Sequence, residues 1–161
     1  MTLSGYYAIK SVAHTRFLLY KPPPDGILEF SGEHGTVPKA TFHLVVDKDD
    51  QVNIKSANQE YWRREDETKT QIVSLAVEPS NDTLFKAVED GNKKYRILHV
   101  QSQKYIEPNP EDNFLVLLSF YYSDPDYLMH SCITSMIQEL LGSLIITRPV
   151  RIIDNENCQA K

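Results

Sequence analysis

The residues of this chain that could carry chemistry are its histidines, its serines and a short run of carboxylates. The histidines are His14, His34, His43, His99 and His130. No two of them have the spacing of a metal-ligand motif such as HExxH, and the sequence has neither a GxSxG nucleophile elbow nor a glycine-rich phosphate loop. His99 lies among apolar residues, where a histidine can act as a general base. It falls, however, at a repeated position that Lys10 and Lys55 occupy elsewhere, so a position that tolerates polar side chains explains it without catalysis.

The other reactive side chains have ordinary structural explanations. Asp47, Asp49 and Asp50 are close in sequence but lie in a predicted turn, where aspartate is favoured because it hydrogen-bonds its own backbone. Cys132 and Cys158 match neither a zinc site nor a disulfide framework and are expected to be reduced thiols. We therefore expect no enzymatic activity, no metal and no other cofactor.

Length and charge narrow the class of protein further. The chain has 161 residues, of which 41% are hydrophobic, enough for one domain with a core. Its formal net charge is −5 and its basic residues are scattered singly, so a nucleic-acid partner is not expected. The N-terminus lacks the basic start and apolar run of a signal peptide, and no apolar stretch reaches the roughly 18 residues of a membrane span. These features predict a cytoplasmic protein, or one shared between nucleus and cytoplasm.

Short apolar segments bounded by Pro, Gly, Asp and Asn predict β-strands along most of the chain. Three sets of apolar landmarks in these segments recur at intervals of about 44 residues. The first set is Ile9, Ile54 and Leu98, the second is Leu28, Ile72 and Val116, and the third is Phe42, Phe85 and Leu128. Apolar residues that return together at one interval indicate three similar units.

Three units of about four strands each predict an all-β fold of the β-trefoil type, a six-stranded barrel closed by three hairpins with pseudo-threefold symmetry. The first set of landmarks would then point into the barrel, and the third would fill the base of the core. We expect this domain to span residues 1–131 and a tail to span 132–161. In the tail, apolar spacing between Ser131 and Gly142 predicts a short helix, followed by an extended segment. That helix would cover either the surface of the trefoil or a second protomer, which would make a homodimer.

Three segments of the sequence resemble one protein family. They are VNIKSANQEYWRRED (residues 52–66), KKYRILHVQSQKY (93–105) and GILEFSG (26–32), and they are similar to the agglutinin domain of amaranthin-type plant lectins. The resemblance covers the whole predicted trefoil. It implies a β-trefoil that binds glycans or glycoproteins containing galactose or N-acetylgalactosamine, without a metal or other cofactor. The prototype of the family has two such domains per chain and binds sugar where domains of two protomers meet, whereas this chain has one.

The resemblance also implies a sugar site. In family members the strand that ends in the YW-R motif is followed by a short loop with Asn and aromatic side chains. The candidate carbohydrate-binding residues at and after this strand are Thr68, Lys69, Thr70, Gln71, Arg64 and Trp62. Sugar recognition combines stacking on an aromatic ring with hydrogen bonds to hydroxyl groups, and the loop itself supplies only the hydrogen bonds. Trp62 or Tyr121 would have to supply the ring, although the place of Trp62 in the repeat favours packing in the core.

The type of ligand and the class of function stay open at this point. Lys69 adds a cation that a neutral disaccharide does not need, so we expect weak binding of the usual galactose-type sugar and a preference for an anionic or otherwise altered glycan. The alternative class is a protein-binding trefoil, either a protease inhibitor or a scaffold, because the KPPPDG and EPNPEDN turns could serve as rigid binding loops. A third role is the targeting head of a larger protein of the pore-forming type.

Overall fold

The computed structural model describes residues 3–91, 94–117 and 144–147. These residues form twelve β-strands and two short 3-10 turns, Pro38–Ala40 and Asn81–Thr83. The strands are β1 (Gly5–Ser11), β2 (Phe17–Tyr20), β3 (Leu28–Gly32), β4 (Thr41–Val46), β5 (Val52–Lys55), β6 (Tyr61–Arg64), β7 (Ile72–Ala76), β8 (Leu84–Glu89), β9 (Lys94–His99), β10 (Lys104–Pro108), β11 (Leu115–Leu117) and β12 (Leu144–Thr147). The all-β class predicted from the sequence is confirmed. Within the ranges described, no helix has the length and apolar character needed to cross a membrane.

The strands follow from the alternation of apolar and polar residues. In β4, for example, Phe42 and Leu44 are buried, whereas His43 between them is only partly buried. The predicted turn between β4 and β5 is present, and Asp49 and Asp50 adopt positive φ angles of 51° and 61° in it. Aspartate tolerates this backbone conformation better than most residues do. The chain therefore reverses directly into the next strand.

Six of the strands close a barrel. β1, β4, β5, β8, β9 and β12 pair in that order, each antiparallel to the next, and β12 pairs back to β1. The other six strands form three hairpins, β2–β3, β6–β7 and β10–β11. Each unit of four strands thus contributes two barrel strands and one hairpin, which is the β-trefoil arrangement. Closure leaves no barrel strand with an unpaired edge that could recruit another chain.

The repeat register is as predicted in the first two units but lies one residue earlier in the third. Ile9 and Ile54 are fully buried in the barrel, and Ile97 takes the equivalent place, whereas Leu98 is only partly buried. Cross-strand pairs establish the equivalence. They are Lys10–Phe17, Lys55–Tyr61 and Leu98–Tyr105. Because successive residues of a strand face opposite sides, this one-residue difference turns Leu98 away from the barrel interior.

The same shift changes the interpretation of His99. It is the counterpart of Ser11 and Ser56, not of Lys10 and Lys55 as the sequence spacing indicated. All three counterparts are polar and buried, with exposures of 0%, 2% and 0% for Ser11, Ser56 and His99. The position is therefore not one that tolerates a solvated polar side chain, but one that buries a hydrogen-bonding group in each unit.

The hairpins show the shift as well. Leu115 is buried at the place that Leu28 and Ile72 occupy in the other units, and Val116, the predicted counterpart, is only partly buried. In each hairpin the buried residue faces the last residue of the preceding strand. These pairs are Tyr20–Leu28, Arg64–Ile72 and Pro108–Leu115.

The sixth barrel strand, β12, comes from the region predicted to be a tail. Leu144 in β12 is fully buried and pairs with β9 at the place that Phe42 and Phe85 take in the other units. The barrel therefore includes residues beyond the predicted domain boundary at 131, because β1 and β9 need a strand between them to complete their hydrogen bonds. Leu128, which was predicted for this place, and the helix predicted for residues 131–142 lie outside the described residues.

Candidate functional site

The three hairpins meet one another through equivalent backbone hydrogen bonds. In each case the amide of one hairpin donates to a carbonyl in the loop of another. The bonds are Ser74 N to Gly26 O (2.8 Å), Leu117 N to Thr70 O (2.7 Å) and Phe30 N to Asn113 O (2.9 Å). We refer to them as joint one, between β2–β3 and β6–β7, joint two, between β6–β7 and β10–β11, and joint three, between β10–β11 and β2–β3. They bring the loops of neighbouring hairpins side by side.

The loop of residues 65–71, between β6 and β7, is organised by Asp66. Its Oδ1 accepts hydrogen bonds from the Thr68 amide (2.7 Å), the Thr68 hydroxyl (2.6 Å) and the Lys69 amide (3.1 Å). Aspartate commonly nucleates a turn in this way because its short carboxylate reaches the backbone two residues on. The hydrogen bonds from Thr68 lower the pKa of Asp66, so the carboxylate stays ionised.

The loop of residues 109–114, between β10 and β11, is built on the same principle. Asn109 Oδ1 accepts from the Glu111 amide (3.1 Å), and Asp112 Oδ1 accepts from the Phe114 amide (2.9 Å). The Asn109 amide donates to the Phe114 carbonyl (2.7 Å), which closes the loop. Asn113 takes the left-handed conformation, φ 61°, that such a short loop needs.

Joint two places these two loops on either side of an open depression of about 300 Å³. Its lining residues are Thr68, Lys69, Thr70, Gln71, Asn109, Asp112, Phe114 and Val116. An isolated antiparallel β-bridge joins the backbone of Gln71 to that of Val116. The lining combines hydroxyl, amide and charged groups with the partly exposed ring of Phe114. Such a mixture of apolar surface and a few polar groups is typical of a ligand site.

The four loop residues that the sequence singled out, Thr68 to Gln71, all line this depression. Trp62 does not, since its side chain is 0% exposed and is inaccessible to a ligand. It packs edge-on against Phe42 and Phe85, with ring centroids 5.1 Å and 6.1 Å away. Its indole nitrogen donates to the Ser56 hydroxyl at 3.0 Å. Trp62 therefore has the packing role that its place in the repeat favoured, and it is removed from the candidate ligand-binding residues.

Arg64 also lies away from the depression. Its Nε is 3.8 Å from Asp82 Oδ1, and its Nη1 donates to the carbonyl of Glu67 at 3.4 Å. Only 17% of its side chain is exposed. Arg64 thus supports the start of the 65–71 loop instead of contacting a ligand in the depression.

Lys69 lines the depression, but its charge is compensated within its own loop. Its ammonium nitrogen is 2.5 Å from Glu65 Oε1 and 3.8 Å from Asp66 Oδ2. The hydrogen bond that the ammonium group donates to Glu65 is the main cause that raises the pKa of Lys69. Lys69 therefore lines the depression as one partner of an ion-pair cluster, and the preference for an anionic glycan stays a prediction.

Sequence reasoning missed the opposite wall, Asn109, Asp112 and Phe114. The EPNPEDN segment was predicted as a turn and considered only as a protein-binding loop. The register of the third unit was the signal that could have found it, because once Leu115 is aligned with Ile72, Phe114 aligns with Gln71. Phe114 is also an aromatic ring of the kind that was sought in Trp62. Tyr121, the other residue considered for that role, lies outside the described residues.

Among the residues that the structure describes, His99 is a buried group whose contacts resemble catalytic machinery. Its Nδ1 is 2.8 Å from the Ser102 hydroxyl, and its Nε2 is 3.0 Å from the carbonyl and 3.3 Å from the Oδ1 of Asp82. Because a carbonyl only accepts, Nε2 carries the proton and Nδ1 accepts from Ser102. Full burial leaves no access for a substrate to the imidazole. Across the described ranges, no three His, Cys, Asp or Glu side chains are grouped so that they could hold a metal ion.

Comparison with known proteins places the chain in a family. Residues 2–119 match the Agglutinin domain, and the chain therefore belongs to the agglutinin-domain family. This confirms the resemblance seen in the sequence. A comparison with curated proteins finds no significant match.

Solved structures show the same fold at low sequence identity. The designed threefold-symmetric protein ThreeFoil has a TM-score of 0.69 and 11% identity, over 89% of this chain and 99% of that one. The Macrolepiota procera ricin B-like lectin in complex with lactose has 0.68 and 13%, over 92% and 99%. SeviL bound to asialo-GM1 saccharide has 0.64 and 14%, over 91% and 98%. These similarities establish the β-trefoil fold.

Proposed function

We propose that this chain is a carbohydrate-binding lectin domain that acts without catalysis and holds a glycan in the depression at joint two. Family membership supports the class of function. One observation supports the assignment to this site: the aromatic ring of Phe114 and polar side chains from two loops line the same depression. Proteins recognise a sugar by stacking its apolar face on an aromatic side chain and by hydrogen-bonding its hydroxyl groups. The lining of this depression offers an aromatic ring for the first and polar side chains for the second.

The polar groups of the depression are available for such bonds. Within the described part of the chain, the side chains of Thr70 and Gln71 make no hydrogen bond, so a ligand hydroxyl would not have to displace an existing one. Asn109 and Asp112 each use one oxygen to hold their loop, which fixes the position of the rest of the side chain. A pre-formed arrangement of this kind lowers the entropic cost of binding.

Phe114 is held in place from the side. Lys21 Nζ lies 5.9 Å from the centroid of its ring, and a β-bridge joins the backbone of Phe114 to Glu29. The ring is therefore positioned by joint three while it lines the depression at joint two. Stacking on an aromatic ring contributes roughly 0.5 to 1.5 kcal/mol beyond the area buried.

Galactose-containing saccharides are the first ligands to test. The resemblance to amaranthin-type lectins implies them, and two of the structural neighbours hold lactose and asialo-GM1 saccharide. The EPNPEDN segment, whose rigidity suggested a protein-binding trefoil, forms one wall of the depression in this proposal. A glycan array with the purified protein decides between the two classes, since capture of a protein together with silence across the array would favour the alternative.

A point variant then tests the site. We expect Phe114→Ala to weaken binding of the glycans found on the array about twofold to tenfold, because the stacking surface is lost. Tyr6→Ala is the matched control, since Tyr6 is a 52% exposed aromatic residue on β1 that stacks on His43 away from the depression. Titration calorimetry measures both, and circular dichroism checks that each variant keeps the fold. Equal affinities for wild type and a folded Phe114→Ala would contradict this site.

A further inference from the structure

The loop between β6 and β7 is held at its start by the two arginines that end β6. Arg63 Nη1 donates to the carbonyls of Arg64 (3.1 Å) and Glu65 (2.9 Å). Arg64 Nη1 donates to the carbonyl of Glu67 at 3.4 Å. Thr68 to Gln71, which line the depression, follow Glu67 directly in the chain. The position of Arg64 therefore helps to set where one wall of the depression lies.

Asp82 holds Arg64 from a neighbouring element. Its Oδ1 lies 3.8 Å from Arg64 Nε, and both atoms are buried and make no hydrogen bond within the described part of the chain. Attraction between the two charges therefore offsets the water that each atom has lost. Asp82 is itself fixed, because it lies in the 3-10 turn Asn81–Thr83, where the buried Thr83 hydroxyl donates to Asn53 Oδ1 at 2.6 Å. Arg64 is thus tied to a turn that does not line the depression.

The same oxygen of Asp82 also faces the buried imidazole of His99, whose Nε2 lies 3.3 Å away. The groups around this imidazole are Asp82, Arg64 of β6, Phe85 of β8 and Ser102 of the turn after β9, while Lys104, its cross-strand neighbour on β10, is exposed. Of these, Asp82 and Arg64 bring charge to the imidazole. A proton on Nδ1 would place a second cation beside the Asp82 carboxylate, where it would compete with Arg64 and repel it.

We infer that Asp82 is a positioning residue of the candidate glycan site, because it holds Arg64 against the 65–71 loop, and that a proton on His99 weakens this hold. The inference rests on the proposed function and adds to it a residue outside the depression. Asp82 touches no ligand and acts through Arg64 and the Glu67 carbonyl. Because burial lowers the pKa of His99, the imidazole is neutral at neutral pH, and the weakening belongs to acidic pH.

The test compares two ion pairs of the same geometry. Arg96 Nε lies 3.8 Å from Asp90 Oδ2, the distance that also separates Arg64 Nε from Asp82 Oδ1. Asp90 follows β8 and lies at the opposite end of β9 from His99. Asp90→Asn is therefore the matched control for Asp82→Asn, since each substitution removes one carboxylate charge and keeps the shape of the side chain.

We expect Asp82→Asn to weaken lactose binding about twofold to fivefold, the range for partly exposed ion pairs, and Asp90→Asn to leave it unchanged. Arg64→Lys should weaken binding by a similar factor, because a lysine that faces Asp82 has no second nitrogen for the Glu67 carbonyl. This variant keeps the charge pair and replaces Asp82→Asn if the latter does not fold. Titration calorimetry gives the affinities, and urea unfolding compares the stability of the two Asn variants.

Two further measurements separate positioning from a general loss of stability. In the ligand-free protein, the Glu65 amide donates to the Gln71 carbonyl at 2.9 Å, and its hydrogen exchange should be faster in Asp82→Asn than in wild type or Asp90→Asn. The loss of lactose affinity between about pH 7.5 and about pH 5 should be larger for wild type than for His99→Gln, whose side chain gains no proton.

Three results would count against these proposals in different ways. If Asp82→Asn binds lactose as tightly as wild type, or if its Glu65 amide exchanges no faster, the role of Asp82 is overturned. If acid weakens binding equally in wild type and His99→Gln, the part assigned to His99 is overturned. If wild type binds no glycan, the proposed function fails instead, and faster exchange in Asp82→Asn alone would still support the hold of Asp82 on the loop.

Discussion

Joint one and joint two share a backbone hydrogen bond but differ in the side chains around it. At joint one, Gly26 packs directly against the next hairpin, so a Cβ added there would lie 2.6 Å from the Leu75 side chain and 2.8 Å from the Ser74 carbonyl. Ile27, the following residue, is bridged to Val73. This joint is made of glycine and apolar residues in close contact.

At joint two the equivalent positions are polar. Thr70 stands where joint one has Gly26, and Gln71 stands where it has Ile27. The side chains of both residues line the depression. The fold thus provides the same backbone frame more than once, and at joint two side chains with hydrogen-bonding groups replace the glycine and the apolar residue that pack one hairpin on the next at joint one.

The largest effect on stability is expected from adding a side-chain atom at Gly26, where joint one is already closely packed. Gly26→Ala should lower the free energy of unfolding by roughly 1–3 kcal/mol, because Gly26 has a φ of +57° and its Cβ position is already occupied. Thr70→Ala at joint two should change the free energy of unfolding by no more than about 0.5 kcal/mol, since it removes atoms from an open rim. Urea unfolding measures both variants, and equal losses would show that the joints do not differ in packing.

A smaller effect, on binding, is expected from giving joint two the residue of joint one. Gln71→Ile should weaken glycan binding about twofold to tenfold, because it removes the amide while keeping a side chain of similar size. The reciprocal variant Ile27→Gln is the control. It should leave the stoichiometry at one glycan per chain, since Gly26 still packs directly against Leu75 and Ser74 at joint one. Titration calorimetry gives both affinity and stoichiometry, and unchanged affinity in Gln71→Ile would break the comparison.

Much of the fold follows from the sequence because its landmarks repeat. The prediction that Ile9 and Ile54 point into the barrel is correct, since the lysine that follows each of them, Lys10 or Lys55, marks the opposite face of the strand. In the third unit Ile97 and Leu98 are adjacent and both apolar, so spacing alone could not decide which of them points inward. The repeat does not predict the sixth barrel strand, β12, because the chain reaches Leu144 later than the interval of about 44 residues would place it.

The candidate site was only half predictable. The resemblance indicated Thr68 to Gln71, but nothing local connects that loop to Phe114, more than forty residues away in the chain. Their proximity depends on the pseudo-threefold packing of the hairpins. The role of Trp62 was ambiguous for a different reason, since a tryptophan serves equally well in a core and in a sugar site. Its burial becomes evident only when Phe42 and Phe85 are seen to surround it.

The smallest effect is expected where the third unit differs from the other two, at His99 in place of Ser11 and Ser56. Burial lowers the pKa of His99, the hydrogen bond and charge of Asp82 partly offset this, and Arg64 adds to the lowering. Below about pH 6.5 the unfolded chain therefore takes up a proton that the folded chain does not. The contribution to stability is fully present above that pH and is lost as the pH falls toward the lower folded pKa.

One such proton changes the free energy of unfolding by at most about 1.4 kcal/mol per pH unit, and the offset from Asp82 makes the observed slope smaller. Urea unfolding at about pH 7.5 and about pH 5.5 should show that acidification lowers the free energy of unfolding more for wild type than for His99→Gln, whose amide gains no charge. The quantity to compare is the difference between the two pH values, because the substitution itself also alters packing against Phe85, whose ring centroid is 5.2 Å from that of His99. If acidification lowers the free energy of unfolding equally in the two proteins, the buried imidazole of the third unit behaves like the serine hydroxyls that replace it in the first and second.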